Sequence, residues 1–127
     1  MEFSLLELRL LKEHEEIDPK RVDDLEIEIR KNGYVRPIVV DADSMVILDG
    51  HHRYNVLKRL NARYAPVITV NYRNDAIILG YWRNEYDSIT KEDVIQAGRT
   101  GKKFPYKTSK HAFPFKNERE VYLKDLL

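Results

Sequence analysis

No cysteine occurs in the 127 residues, which excludes disulfides, thiolate metal sites and thiol catalysis. Charge of one sign is lacking too. The net charge is +1, so no global field draws in nucleic acid, although a local basic patch is compatible with that balance. Long apolar runs are missing: none approaches the roughly 18 residues a membrane span needs. No signal peptide opens the chain, so a cytoplasmic protein with no membrane partner is expected. There is no internal repeat, low-complexity segment or linker, and neither a Walker loop nor a protein-kinase signature. What is present is 43% hydrophobic and 34% charged residues, enough for one domain with a real core. Many of the charges are Glu, Lys and Arg on predicted helices, a bias that fits a thermophile.

The pattern along the chain predicts a small α+β domain with a mixed β-sheet and flanking helices. Phe3 to Leu11 reads as a strand and a turn, and the polar cluster Lys12-Glu13-His14-Glu15-Glu16 leads into a helix. Asp18-Pro19 supplies the N-cap and first turn, Val22, Leu25, Ile27 and Ile29 the core face, and Asn32-Gly33 the stop. Arg36 to Asp41 and Met45 to Leu48 read as antiparallel strands joined by a hairpin turn, Asp41 to Ser44. Tyr64 to Tyr72 is rich in β-branched residues, and Ala76 to Trp82 is expected to pair with it across Arg73-Asn74-Asp75. Thr90 with Asp93 marks a capped helix with Val94, Ile95 and Ala97 on its apolar face, broken by Gly98 and Gly101. A basic, aromatic tail follows, and Val121 to Leu127 reads as a last strand or turn.

Asp49-Gly50-His51-His52-Arg53 stands between an apolar strand and a residue pattern of helical spacing. A strand that turns through glycine into a helix aims free N–H groups and a positive dipole end at one point. Two imidazoles, a guanidinium and a carboxylate added there suit phosphate, with Asp49 able to hold Mg²⁺ through water. Arg53 can fork two phosphate oxygens, which lysine cannot. Each of these residues also has a plainer reading. Asp49 suits any turn before glycine, and Arg53 any solvated helix surface.

Elsewhere the candidates are more dispersed. His14, His51, His52 and His111 each lie in a polar cluster, so a histidine zinc site with Asp49 or Glu15 is one alternative, although adjacent His51 and His52 ligate jointly with difficulty. Glu15 and Glu16 can serve the dipole of the first helix, or Glu15 can accept a hydroxyl proton beside the phosphate site. Trp82, the single tryptophan, is either core packing or a ligand platform. Lys107-Thr108-Ser109-Lys110-His111 gathers two cations, two hydroxyls and an imidazole, flanked by Phe104, Pro105, Tyr106, Phe113, Pro114 and Phe115 as anchors.

Together the strand, the box and the helix resemble the ParB/sulfiredoxin-like domain. Within that superfamily the chain is most similar to the archaeal free serine kinases. The likeness rests on Lys12-x-His14-Glu15, the Asp49 to Arg53 box, Trp82, and Lys107-Thr108-x-x-His111 followed by Pro114-Phe115. It spans nearly the whole chain in one order. The resemblance implies transfer of a phosphoryl group to free L-serine, giving O-phospho-L-serine for cysteine synthesis, with Mg²⁺ and ATP or ADP as donor.

By the same resemblance Glu15 is the base, with Asp49 and His52 beside it in the chemistry. Asp49, Gly50, His51, His52 and Arg53 hold the phosphates and the metal. Trp82, Lys107, Thr108, Lys110 and His111 frame the serine. One domain, 1–127, is expected, with a nucleotide-binding core over 1–82 and a substrate-side helix and tail over 83–127. It would act as a monomer or small homo-oligomer with small-molecule partners, and nucleic acid is not expected as one. Some relatives carry a long insertion after the Trp82 region, and the compact form here favours ATP. Lys110 stands where an arginine is often found.

The main competitor is a non-catalytic nucleotide- or DNA-binding module of the partitioning type, against which the near-neutral charge argues. Sulfiredoxin chemistry requires the cysteine this chain lacks. No metal-carboxylate cluster asks for a nuclease.

Overall fold

The computed structural model describes residues 1–127. In chain order it contains β1 (Glu2–Glu7), α1 (Pro19–Asn32), β2 (Tyr34–Val35), β3 (Ile38–Asp41), β4 (Ile47–Asp49), α2 (His51–Arg59), β5 (Tyr64–Val70), β6 (Ile78–Tyr81), α3 (Lys91–Thr100), β7 (Ser109–Ala112) and β8 (Val121–Tyr122). The main sheet runs β1-β5-β3-β4. Its outer pairs are antiparallel and the central β3–β5 pair is parallel, so the sheet is mixed as the pattern predicts. The α+β reading holds.

Three of its strands are buried on both faces, which explains their nearly unbroken apolar runs. Ile38, Val40, Ile47, Ala65 and Val67 pack on one side with Val22, Ile29, Val56 and Leu57 of the first two helices. Val39, Val46, Leu48, Ile68 and Val70 pack on the other with Val94 and Ile95 of α3. Strand alternation thus divides one sheet between two cores.

Helix signals fall where the sequence puts them. The Asp18 carboxylate accepts from the Lys20 N–H, and Gly33 closes α1 in the left-handed region at φ 77°. Thr90 and Asp93 form a reciprocal capping box at the start of α3. Four expectations need correction. Ile27 is 67% exposed, because it lies about 140° around α1 from Val22, on the solvent side. Gly98 does not break α3. It lies inside the helix, where a Cβ would collide with Val46 Cγ2, so glycine here permits the helix to press onto the β3–β4 hairpin. Met45 is not strand but left-handed turn, at φ 63°, and β4 begins at Ile47.

The fourth correction changes the topology. β6 does not pair with β5, both of whose edges are already occupied by β1 and β3. It pairs instead with β7, Leu79 opposite His111 and Tyr81 opposite Ser109. The tail is thereby drawn back over the molecule. β8 then pairs with β2, and Leu126 beyond it is fully buried against the first core.

Candidate active site

Gly50 holds φ 107°, and a Cβ there would meet Arg53 Nη2 at 2.9 Å. The left-handed turn therefore requires glycine, and the Arg53 guanidinium lies across the space a side chain would fill. α2 starts immediately after it, without a side-chain cap. The first N–H groups of the helix, from His51 onward, are thus left for a ligand. Arg53 donates through Nη1 to the Pro37 carbonyl at 2.7 Å and through Nη2 to Asp49 Oδ2 at 3.0 Å. It ties the turn to the chain leading into β3.

Two cavities meet at this turn. One, of about 460 Å³, lies between α1, the Tyr34–Arg36 segment and the turn, with Leu25, Ile29, Tyr34 and Val35 as its apolar wall. The other, of about 310 Å³, is lined by Glu15, Trp82, Tyr106, Lys107, Ser109, Lys110 and His111. Arg21, Asp49, Gly50, His51 and His52 line both. A phosphate chain entering from the first cavity would end beside a small acceptor in the second.

The two box histidines are bound up in holding the Glu15 segment in place. The His14 N–H donates to His51 Nε2 at 3.1 Å, and the Asp18 N–H donates to His52 Nε2 at 3.1 Å. An acceptor nitrogen must be unprotonated, and burial lowers the pKa of both rings. The His51 and His52 side chains thus fasten residues 14–18 to the start of α2, while their backbone N–H groups face the turn.

Glu15 is not a helix-dipole residue. Its Oε1 accepts from the Thr108 N–H at 3.2 Å, the Ser109 N–H at 2.9 Å and the Ser109 hydroxyl at 2.9 Å. Burial raises its pKa, and the Ser109, Thr108 and Lys107 hydrogen bonds oppose that rise. A carboxylate made more basic by desolvation yet held in one orientation suits proton abstraction.

The tail residues divide. Trp82 is 53% exposed rather than core, with Lys110 Nζ 4.5 Å and Lys107 Nζ 5.5 Å from its ring centre. Thr108, expected to frame a substrate, is fully buried and donates its hydroxyl to the Pro105 carbonyl at 2.6 Å, so it shapes the loop instead. His111 lines the smaller cavity, but its ring is engaged. It bonds the Leu48 backbone, and its Nε2 lies 2.7 Å from the Tyr72 hydroxyl. Burial pushes its pKa down to about 4, so it offers a neutral ring. Phe113 and Phe115 anchor the tail on the second core, as expected of that aromatic pair.

Sequence reasoning missed Arg21 altogether, took Tyr106 only as an anchor, and gave Ser109 no role of its own within the Lys107 to His111 cluster. Arg21 carried one signal: a cation in the first turns of a helix opposes the dipole and calls for another reason to be there. No group of three His, Asp or Glu side chains converges to hold an ion. The zinc alternative therefore has no ligand set.

The ParB N-terminal domain model matches residues 2–81. The chain belongs to the ParB N-terminal domain family. Among relatives, a ParB-like protein of Sulfolobus acidocaldarius is 36% identical over 72 residues, covering 57% of this chain and 36% of that protein. The ATP-dependent L-serine kinase of Staphylothermus marinus is 36% identical over 83 residues, covering 61% of this chain and 33% of the other. The chain thus spans about a third of the length of these curated relatives. A free serine kinase solved with AMP superimposes at a TM-score of 0.86 and 18% identity, over 98% of this chain and 93% of that one, and so shares the fold.

Proposed function

We propose that this protein transfers the terminal phosphoryl group of ATP to the hydroxyl of free L-serine, giving O-phospho-L-serine for cysteine synthesis. The observation that carries this reading is Glu15: a buried, oriented carboxylate on the wall of one cavity, across a helix N-terminus from another. The identity with an ATP-dependent L-serine kinase supports the same conclusion.

Adenosine occupies the larger cavity against Leu25, Ile29, Tyr34 and Val35. Its phosphates lie on the N–H groups of His51, His52 and Arg53, with Arg21 and the Arg53 guanidinium neutralising charge. Asp49 would hold Mg²⁺, which supplies further charge neutralisation on the phosphates. Serine sits in the smaller cavity, its carboxylate facing Lys107 and Lys110 beside Trp82, and its hydroxyl facing Glu15. Glu15 takes the hydroxyl proton as the serine oxygen attacks, and most of the remaining work is positioning. The nucleotide side falls within residues 1–82, and the tail over 83–127 closes the serine side. The protein works in the cytoplasm as a monomer or small homo-oligomer.

The direct test is incubation with Mg²⁺, serine and either ATP or ADP, followed by phosphorus NMR. Phosphoserine from ATP is the expected product, and its formation from ADP instead would reassign the donor. No phosphoserine from either donor, together with salt-dependent DNA binding, would replace the kinase reading with a ParB-like binding module.

A further inference from the structure

The Ser109 hydroxyl stands between two acceptors that compete for its one proton. Oγ lies 2.9 Å from Glu15 Oε1 and 2.9 Å from His14 Nε2. The far side of the His14 ring decides what the near side can do. Nδ1 is 2.7 Å from the Ile47 carbonyl oxygen, which can only accept, so Nδ1 carries the hydrogen. Burial keeps the ring neutral, with a pKa pushed down to about 3, and Nε2 is then a bare lone pair. With Glu15 ionised as well, one hydrogen faces two acceptors. His14 is fully buried and held at both nitrogens, so this is a built geometry rather than a surface encounter.

We propose that Ser109 is a positioning residue whose hydroxyl turns from Glu15 to His14 as Glu15 takes up the acceptor's proton. The inference rests on the kinase reading and extends it. Before transfer the Ser109 hydroxyl donates to Oε1 and favours the ionised base, against the burial that disfavours it. During transfer the serine O–H bond breaks and a serine O–P bond forms. The bond from phosphorus to the nucleotide's bridging oxygen breaks, and its electron pair stays with the nucleotide. The proton ends on the Glu15 carboxyl at Oε2, the oxygen Ser109 does not touch. Ser109 neither gains nor loses a proton. Its hydroxyl swings to His14 Nε2, so the bond that held the base is moved rather than lost. A fixed partner with no second acceptor would instead hold down the basicity of Glu15 at the moment it is needed.

The test is an NMR titration of the whole chain, following the Glu15 carboxyl carbon and the His14 ring nitrogens, alongside the pH profile of kcat/KM. In the unaltered protein His14 Nε2 should shift upfield, as it gains a hydrogen bond, with the same midpoint at which Glu15 protonates. Ser109→Ala should abolish that response and raise the Glu15 midpoint by about half a pH unit or more. The acidic limb of kcat/KM should move by the same amount, with KM for serine within about twofold of the unaltered value. Ser109→Thr, which keeps the hydroxyl, should restore both behaviours. An Nε2 resonance indifferent to Glu15, or an unchanged Glu15 midpoint in Ser109→Ala, would overturn the proposal. Coupled titration in a protein that makes no phosphoserine would remove the turnover role along with the kinase reading. Coupling lost in a protein that still makes phosphoserine would remove the Ser109 role alone.

Discussion

The two cavities that meet at Gly50 are built on different principles. Every residue around the larger one lies between Arg21 and Arg53, on the first helix, the short strand after it and the turn from β4 into α2. The smaller one joins Glu15 to Ser109, 94 residues apart, and it closes only because β7 folds back onto β6. One is a local structure made by neighbouring elements. The other depends on the tail reaching home. The same turn serves both, so the chemistry needs both, but their vulnerabilities differ.

The sharpest separation should come from Glu15→Gln. Turnover should fall by a factor of about 10² to 10⁴, the usual range for loss of a positioned base, while AMP affinity measured by calorimetry stays within about twofold. An equal loss of nucleotide binding would mean that the cavities are not independent.

Acid should act on the two sides unequally. His14, His51, His52 and His111 all have folded pKa values depressed below the unfolded value near 6.5. The unfolded chain therefore binds more protons in this range. Stability is fully present above about pH 6.5 and declines as pH falls toward about 4, chiefly through His14, His51 and His111, with the more exposed His52 contributing least. Glu15, with its raised pKa, contributes with the opposite sign. Thermal unfolding followed from pH 7.5 to 4.5 checks this, and a flat midpoint would contradict the neutral, accepting histidines. Because His51 and His52 line both cavities whereas His111 lines, and His14 adjoins, only the smaller one, serine binding should fail at a higher pH than nucleotide binding.

A smaller effect should follow from Gly98→Ala. The added methyl collides with Val46 and should destabilise the fold by about 1–3 kcal/mol in urea unfolding, with KM for serine rising more than that for ATP. Smallest is Trp82→Leu, which removes the surface under the Lys107 and Lys110 cations. We expect KM for serine to rise by about two- to fivefold, with ATP unaffected, since an exposed cation–π contact contributes about 0.5–1 kcal/mol.

The same contrast explains what the sequence made legible. The Asp49 to Arg53 box, the Asp18-Pro19 cap and the Gly33 stop act over a few residues, so residue type and spacing suffice to place them. The pairing of β6 with β7 does not follow from local pattern. It depends on both edges of β5 being taken, which is a fact about the whole sheet. Thr108 and Ser109 illustrate the same limit, being adjacent hydroxyls of similar chemistry. One is buried against Pro105 and the other reaches Glu15, and both follow Lys107 in the left-handed region at φ 56°. Gly98 read as a helix breaker because its partner, Val46, lies on a strand more than fifty residues earlier.

The most direct test of the two-cavity account is a chemical-shift map of the backbone with each ligand added alone. AMP should perturb Arg21, Leu25, Tyr34 to Arg36 and the Gly50 to Arg53 turn. Serine should perturb Glu15, Trp82 and residues 107 to 111, with the turn as the shared border. If AMP instead moves the Trp82 and Ser109 resonances, or serine leaves the Glu15 segment untouched, the division of labour described for this turn is wrong.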